Sequence, residues 1–364
     1  MTPINLVELA LDPAETDEVL GAMRAVLERG WFVLGPEVRS FEEELATAGQ
    51  VAEAVGVASG TDALTLGLLG LGIGPGDEVI VPAFTAFPTA VAVLQAGATP
   101  VLADVRADQP HLAPDAALAQ VTDRTRAVIL VHLYGIAADV VPWLDTLGPR
   151  SIHLIEDCAQ AQGAVLPDGR PVGSAGAFGA LSFYPTKNLA GLGDGGALVT
   201  SDTALAQEVR AWRSHGERAV RYRHELPARN SRLDDLQAAA LRIRLAALPA
   251  RVERARAISE RYAAGLDGLL PYAAHGSSGA PHLAVVRCPD PESLIAHLAA
   301  HEIASGRHYP YPLDVQPALS ELATSPTPNA HDWASSCVSL PLHRRLSEDD
   351  VDRVVAAVGS WAGP

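Results

Sequence analysis

The chain has 364 residues, which is enough to bury a full core and favours two domains over one. Hydrophobic residues make up 48% and charged residues 19%, a composition typical of a globular enzyme. The formal charge of −16 at pH 7 would repel a phosphate backbone, so nucleic acid is not expected as a partner.

No targeting or membrane segment is recognisable. Residues 1–15 lack a basic region followed by an apolar run, and apolar stretches such as 127–141 fall short of a membrane span. We therefore expect a cytoplasmic protein without membrane partners. Its cysteines, Cys158, Cys288 and Cys337, are far apart and form no Cys-x-x-Cys pair. This spacing argues against a disulfide framework and a structural zinc site, and no metal is expected.

In chain order, the first half alternates short apolar runs with helical patterns, which predicts a mainly parallel sheet covered by helices. Strands are predicted at 54–58, 78–81, 100–103, 127–132, 153–156, 180–183 and 196–200, and helices at 62–71 and 88–95.

After about residue 200 the pattern changes to arginine-rich helices, predicted at 204–215 and 234–270, with an interruption of the second at Pro249. A smaller α+β region follows, with an apolar run at 282–287 and helices at 291–301 and 347–361. We therefore expect an N-terminal arm (residues 1–15), a large domain (16–245) and a small domain (246–364).

Lys187 is the single lysine among 27 lysine and arginine residues. A lysine amine can lose its proton and form a Schiff base with a carbonyl, whereas a guanidinium stays protonated. A catalytic lysine is one interpretation. A composition that drifted away from lysine and left one by chance is the other.

Two further segments could carry chemistry. Ser59-Gly60-Thr61-Asp62 joins a predicted strand to a helix, where free backbone amides suit a phosphate, although such residues also form ordinary helix caps. Asp157 ends an apolar strand, where ligands collect in open α/β sheets. It could hold a proton on a pyridine nitrogen, or it could simply end the strand in a solvated turn.

Lys187 itself lies 30 residues after Asp157, close enough for neighbouring strands to bring both side chains to one pocket. The glycine run that follows, 191–196, fits neither common phosphate motif and leads into a strand rather than a helix.

With these segments in place, the chain resembles the nucleotide-sugar aminotransferase family, the DegT/StrS family of fold-type I pyridoxal-phosphate enzymes. The resemblance implies an α/β fold, with a large domain built on a mainly parallel seven-stranded sheet and a smaller C-terminal α+β domain. The segments that carry it are 35–37, 59–64, 156–157, 160, 182–183, 187, 215–216, 230–234, 237–239, 308–310, 316–317 and 339–341.

The resemblance also implies the cofactor, pyridoxal 5′-phosphate, and the residues that hold it. Lys187 would form the Schiff base and then act as acid and base. Asp157 would pair with the pyridine nitrogen, which makes the ring an electron sink. Gln160 would sit near the phenolic oxygen of the cofactor. The phosphate would be held by Gly60, Thr61, Asp62 and Ser182, and by Asn230 of the neighbouring subunit, so a homodimer with shared active sites is implied.

Two parts of the implied site depart from the family pattern or rest on position alone. Many relatives carry an aromatic residue where this chain has Ala86, so the ring contact would come from Phe87 or Phe84, or be reduced; for Phe84 we favour core packing. His308 and Tyr309 would contact the sugar or the amino donor. Candidates for binding the donor carboxylate are Arg232 and Arg307.

The implied reaction moves an amino group from L-glutamate or L-glutamine to a keto group of a nucleotide-linked deoxysugar. Asp194, where many 4-keto enzymes have Glu, favours a 3-keto hexose slightly. A keto-cyclitol aminotransferase and a cofactor-binding regulator without turnover are the alternatives. A sugar dehydratase would carry histidine in place of Lys187. Zinc and serine hydrolases fail at the motif level, because Ser305 stands where a second zinc histidine would be and no Gly-x-Ser-x-Gly occurs.

Overall fold

The computed structural model describes residues 2–266, 278–322 and 325–363. The helices are α1 (Pro13–Arg29), α2 (Pro36–Gly49), α3 (Gly60–Gly70), α4 (Pro88–Gln95), α5 (Pro114–Leu118), α6 (Val141–Leu147), α7 (Thr203–Trp212), α8 (Asp235–Gly265), α9 (Pro291–Ala300), α10 (Pro328–Ser336) and α11 (Glu348–Gly359). The strands are β1 (Glu53–Val57), β2 (Glu78–Pro82), β3 (Thr99–Ala103), β4 (Thr125–Val131), β5 (His153–Asp157), β6 (Phe178–Ser182), β7 (Gly196–Thr200), β8 (Ala284–Arg287) and β9 (Cys337–Leu340).

A seven-stranded sheet forms the centre of the fold, in the order β1-β7-β6-β5-β4-β2-β3. Pairs within β2 to β6 are parallel, and β7 runs antiparallel to both β1 and β6. The strands are apolar and buried because helices cover both faces. The fold class predicted from the sequence, α/β with a mainly parallel seven-stranded sheet, is therefore confirmed.

Three buried apolar clusters hold the layers together. One joins the sheet to α3, α4 and α7, and a second joins the opposite face to α2, α6 and α8. The third lies between the two-stranded β8-β9 sheet, the end of α8, α9 and α11, and forms a separate core near the C-terminus. Burial of apolar surface is the main source of stability in each.

Helix α2 is fixed to α8 by a buried carboxylate. Asp235, the first residue of α8, accepts hydrogen bonds from the backbone N–H groups of Gly35 (2.7 Å) and Glu37 (3.0 Å). These are amides of the first turn of α2, which has no side-chain cap of its own. A side chain at position 35 would collide with Asp235, because a Cβ there would lie 2.4 Å from Oδ1.

The predicted elements correspond to observed ones, with one error. Each of the seven predicted strands overlaps an observed strand, and the interruption predicted at Pro249 is absent, since α8 continues through it. Pro249 is exposed, so water can satisfy the carbonyl that its ring leaves without a backbone donor. The predicted last turn of this helix, 267–270, lies outside the described residues.

Helix α8 also crosses the boundary predicted between residues 245 and 246, so the three-part division stays a prediction. Among the described residues, no helix combines the length and the apolar character that a membrane crossing requires.

Candidate active site

Three of the predicted site residues lie at or beside the carboxyl-terminal ends of neighbouring strands. Asp157 ends β5 and Ser182 ends the neighbouring β6. Gly60 begins α3, and a Cβ added to it would lie 2.8 Å from the Cβ of Ser182. The start of α3 therefore touches the end of β6. Gly196 opens β7 against the same turn, since a Cβ there would lie 2.3 Å from the carbonyl carbon of Ser59.

Asp157 is buried, and its carboxylate accepts two hydrogen bonds. Thr89 Oγ1 donates to Oδ2 over 2.9 Å, and the N–H of Ala159 donates to Oδ1 over 3.1 Å. Burial raises the pKa of Asp157, and these two bonds and the charge of Lys187 offset part of that rise. A cationic partner would favour the ionised carboxylate, and a protonated pyridine nitrogen is such a partner.

The amine of Lys187 is buried near Asp157, since the charge of each side chain acts on the pKa of the other. Burial lowers the pKa of Lys187 to about 8, and the charge of Asp157 opposes this shift. The amine therefore loses its proton at a lower pH than an exposed lysine does, which suits a nucleophile. The N–H of Lys187 donates to the carbonyl of Tyr184 over 2.8 Å, so the residue stands on a tight turn after β6.

The turn at 59–62 is built as a helix N-terminus. Ser59 caps α3, and its Oγ accepts from the N–H of Asp62 over 3.1 Å. The carboxylate of Asp62 accepts from Ser231 Oγ over 2.7 Å. Asp62 therefore braces the segment around Ser231 through its side chain, whereas Gly60 and Thr61 carry the first-turn amides that suit an anion.

Asn230 lies in the segment that Asp62 braces. It forms an isolated bridge with Ser214, and its side chain is exposed. Its neighbour Arg229 reaches Asp62 as well, with Nη1 3.4 Å from Oδ1.

Gln160, Tyr309 and His308 belong to one hydrogen-bonded chain that links β5 to the C-terminal region. Gln160 Oε1 accepts from the N–H of Tyr134 over 2.9 Å, and Gln160 Nε2 donates to the Tyr309 hydroxyl over 3.0 Å. The hydroxyl of Tyr134 in turn donates to the carbonyl of His308. Burial raises the pKa of Tyr309 to about 12, so its hydroxyl stays protonated.

Three residues near the site were missed by the sequence reasoning: Thr89, Tyr134 and His282. Burial and the neighbouring Lys187 and His308 lower the pKa of His282 well below its usual range, so its imidazole is neutral. His282 begins the apolar run that predicted a strand, and that pattern gave no sign of a functional residue. Thr89 follows Pro88 at the start of α4, which looks like an ordinary helix start.

The remaining candidates lie elsewhere or differ in environment. The guanidinium of Arg307 binds Glu292 (3.1 Å) and the carbonyl of Ala334, so it is held within the C-terminal region. Arg232 is half-buried. Phe84 is fully buried and stacks on Trp333, with ring centroids 6.1 Å apart, which is core packing. Phe87 is only half-buried at the start of α4.

One buried cluster has the composition of a metal site, namely His132, Glu156 and Cys158. Its donor atoms are engaged within the chain. His132 Nδ1 accepts from the N–H of Ala138, so Nε2 carries the proton that reaches Glu156 over 3.0 Å. Glu156 also accepts from the N–H groups of residues 173, 175 and 176, and burial raises the pKa of the Cys158 thiol well above its usual range. The cluster therefore fixes the end of β5.

The donor set of the pocket fits pyridoxal 5′-phosphate. The pocket offers a carboxylate for a ring nitrogen, an amine with a lowered pKa for a carbonyl, and the amides of a helix N-terminus for a phosphate. Gly60 and Ser182 are in contact, and the charges of Lys187 and Asp157 interact, whereas the roles of these four residues in holding the cofactor stay a prediction.

Comparisons with known proteins agree with this geometry. Residues 13–359 match the model of the DegT/DnrJ/EryC1/StrS aminotransferase family. The chain is 43% identical, over 96% of its length and 92% of the relative's, to a dTDP-3-amino-3,4,6-trideoxy-alpha-D-glucose transaminase of Streptomyces venezuelae. It is 40% identical to a UDP-N-acetyl-3-dehydro-alpha-D-glucosamine 3-aminotransferase of Acidithiobacillus ferrooxidans, over 98% of the chain and 97% of the relative.

Among solved structures, S. venezuelae DesV in complex with a ketimine intermediate superposes with a TM-score of 0.94 at 41% identity, and 99% of each chain is covered. The cofactor is pyridoxal 5′-phosphate, and the protein is a transaminase. The chain belongs to the DegT/DnrJ/EryC1/StrS aminotransferase family.

Proposed function

We propose that the enzyme transfers an amino group to the keto carbon of a nucleotide-linked 3-keto deoxyhexose. The observation that carries the proposal is that Lys187 and Asp157 are both buried and close enough for their charges to interact, in a chain whose similar relatives are named as 3-amino-sugar transaminases. Asp194, in the glycine run after Lys187, favours the same substrate class. L-glutamate or L-glutamine would supply the nitrogen.

The bound cofactor would supply an electron sink that stabilises negative charge on the carbon that loses a proton. The protein's own residues would do the rest. Asp157, kept anionic in part by Thr89, would hold a proton at the pyridine nitrogen. Lys187 Nζ would carry a proton between the reacting carbon of the donor or sugar and the bound cofactor. Its lowered pKa lets this amine take up and return a proton near neutral pH.

The cofactor-binding residues follow from the same proposal. Amides of Gly60 and Thr61, and the hydroxyl of Ser182, would hold the phosphate, with Asp62 bracing the turn. Gln160 would approach the ring near its phenolic oxygen, its amide oriented by Tyr134 and Tyr309. His308 and Tyr309 would face the sugar or the amino donor.

We further propose a homodimer in which Asn230 reaches the phosphate of the neighbouring subunit. The exposed side chain of Asn230 supports this, as do the apolar groups exposed elsewhere on the chain, among them Trp31, Phe32 and Tyr184. A cytoplasmic location is part of the proposal too, supported by three buried cysteines that form no disulfide.

The test is an amination assay on nucleotide-linked 3-keto and 4-keto hexoses and on keto-cyclitols, with L-glutamate and L-glutamine as donors. We expect turnover of a 3-keto nucleotide sugar. Preference for a keto-cyclitol would replace the sugar assignment. Binding of the cofactor without turnover of any acceptor would favour a regulatory protein.

A further inference from the structure

A cavity of about 410 Å³ opens beside Lys187. This volume falls within the range of small-molecule sites. One part of its wall is formed by residues 185–188 and by His282. Another part carries three arginines, Arg244, Arg251 and Arg344. We call this space the arginine cavity.

The three guanidinium groups gather around one buried carboxylate. Glu15 Oε1 accepts from Arg244 Nε (2.8 Å) and from Arg251 Nη2 (2.7 Å), and Glu15 Oε2 lies 2.6 Å from Arg344 Nη1. Asp12 supplies a second carboxylate, 3.0 Å from Arg344. Three positive charges thus meet two negative ones. Glu8, which also lines the cavity, is partly exposed to water, which screens its charge, and its carboxylate accepts from the N–H of Ala10 over 3.0 Å.

The three arginines differ in how many of their N–H donors are bound by acceptors within the chain. Arg244 is 6% exposed and also donates from Nη1 to the carbonyls of Ala190 (2.6 Å) and Gly191 (3.1 Å), so it anchors the loop after Lys187. Arg251 is 20% exposed, and Glu15 is the one hydrogen-bond acceptor found for it among the described residues. Arg251 therefore keeps donors for a ligand. Arg344 is 27% exposed, its Nη1 lies near Asp12 and Glu15, and its Nη2 donates to the carbonyl of Ala10 over 3.4 Å.

A partly buried surplus of positive charge is costly unless an anion pairs with it. The proposed substrate carries a diphosphate, a group that guanidinium donors bind in bidentate fashion. A protein of formal charge −16 would repel such a substrate unless a local group of arginines attracted it. The neutral imidazole of His282 lies at the Lys187 side of the same wall, where an uncharged sugar would sit.

We propose that the arginine cavity binds the diphosphate of the nucleotide-linked substrate, with Arg251 and Arg344 as its ligands. This inference rests on the proposed function. It places the sugar against Lys187 and the nucleotide towards the N-terminal arm, whose residues Val7, Leu9 and Leu11 complete the wall.

The test uses the cofactor-loaded enzyme and thymidine 5′-diphosphate as the probe, measured by calorimetry. Arg251→Gln and Arg344→Gln are compared with Arg254→Gln, a matched control on α8 whose guanidinium binds Glu348 and Leu346 outside the cavity. We expect each cavity variant to weaken probe binding about tenfold, because a charged hydrogen bond is lost. The control is expected to bind like the unaltered enzyme, and Arg251→Lys to fall between the two.

Cofactor absorbance and thermal unfolding verify that each variant is folded and loaded. Should Arg251→Gln fail to fold, Arg344→Gln still decides the question. Probe binding unchanged in the cavity variants, while the enzyme aminates nucleotide sugars, would overturn the inference and leave the proposed function intact. A raised KM for L-glutamate with unchanged probe binding would make the cavity a carboxylate site and would also overturn it. An unaltered enzyme that neither binds the probe nor aminates a nucleotide sugar would overturn both.

Discussion

At the scale of single residues, burial shifts the pKa values of two neighbouring ionisable groups in opposite directions. Burial lowers the pKa of Lys187 and raises the pKa of Asp157, and each charge resists the shift of the other. Desolvation thus favours the neutral form of both groups, the form that a nucleophilic amine needs. Asp157 must be ionised to pair with a protonated pyridine nitrogen. The hydrogen bonds from Thr89 and Ala159 favour that ionised form.

Removing the Thr89 hydroxyl should weaken cofactor binding. Thr89→Val keeps the shape of the side chain but deletes its bond to Asp157, so the pKa of Asp157 should rise further. A hydrogen bond to a charged group contributes roughly 1.5 kcal/mol, which corresponds to about a tenfold higher dissociation constant. Titration of the cofactor-free protein measures this constant. Thr89→Ser, which keeps the hydroxyl, is the control, and equal constants for Val and Ser would contradict the proposed role.

The lowered pKa of Lys187 predicts how cofactor capture depends on pH. An amine with a pKa of about 8 is mostly protonated at pH 6 and mostly neutral at pH 9. The rate of covalent capture of pyridoxal phosphate by cofactor-free protein should therefore rise about tenfold per pH unit below pH 8 and level off above roughly pH 9. Stopped-flow absorbance gives the profile. A midpoint near 10.5, the ordinary lysine value, would show that burial does not act on this amine.

At the scale of elements, the sequence predicted where strands lie along the chain better than it predicted their directions and their tertiary contacts. Apolar runs bounded by turns located all seven strands of the sheet, because strands buried on both faces are apolar throughout. The antiparallel direction of β7 was not predicted, since it depends on the loop after Lys187. Tyr134 was missed for a related reason. It reaches Gln160 and His308 only through tertiary contacts across 26 and 174 residues.

The contact between β7 and the start of α3 gives a prediction at this scale. Gly196→Ala would place a Cβ 2.3 Å from the carbonyl carbon of Ser59, so the turn at residues 59–62, which is proposed to hold the phosphate, must shift. We expect weaker cofactor binding and a loss of about 1–3 kcal/mol in the free energy of unfolding, the usual cost of overpacking. Denaturant unfolding and cofactor titration measure the two effects. Gly21→Ala is the control, because a Cβ there meets nothing within 4 Å. Equal behaviour of both variants would contradict the predicted steric conflict.

At the scale of the whole molecule, the proposed active site joins distant parts of the chain. The sheet supplies Asp157 and Ser182, the C-terminal region supplies Tyr309 through its bond to Gln160, and the N-terminal arm lines the arginine cavity. We retain the division into an arm, a large domain and a small domain as a proposal, with α8 as the continuous helix that joins the last two.

The proposed exchange of Asn230 between subunits can be tested by mixing inactive variants. Lys187→Ala removes the nucleophile, and Asn230→Asp places a negative charge against the phosphate of the neighbouring site. A mixed dimer would contain one site with both natural residues, so random mixing of equal amounts should restore about one quarter of the natural activity. Activity after denaturation and joint refolding is the measurement. No recovery, with mixed dimers present by mass spectrometry, would place Lys187 and Asn230 in the same subunit's site.

Isotope labelling tests the proposed amino transfer by following the nitrogen atom itself. The enzyme is incubated with ¹⁵N-labelled L-glutamate and a thymidine-diphosphate-linked 3-keto-6-deoxyhexose, and the sugar is analysed by mass spectrometry and NMR. We predict ¹⁵N on carbon 3 of the sugar with the natural enzyme and none with Lys187→Ala. Label on the sugar with Lys187→Ala at the natural rate, or label passing only to a free keto acid, would contradict the account.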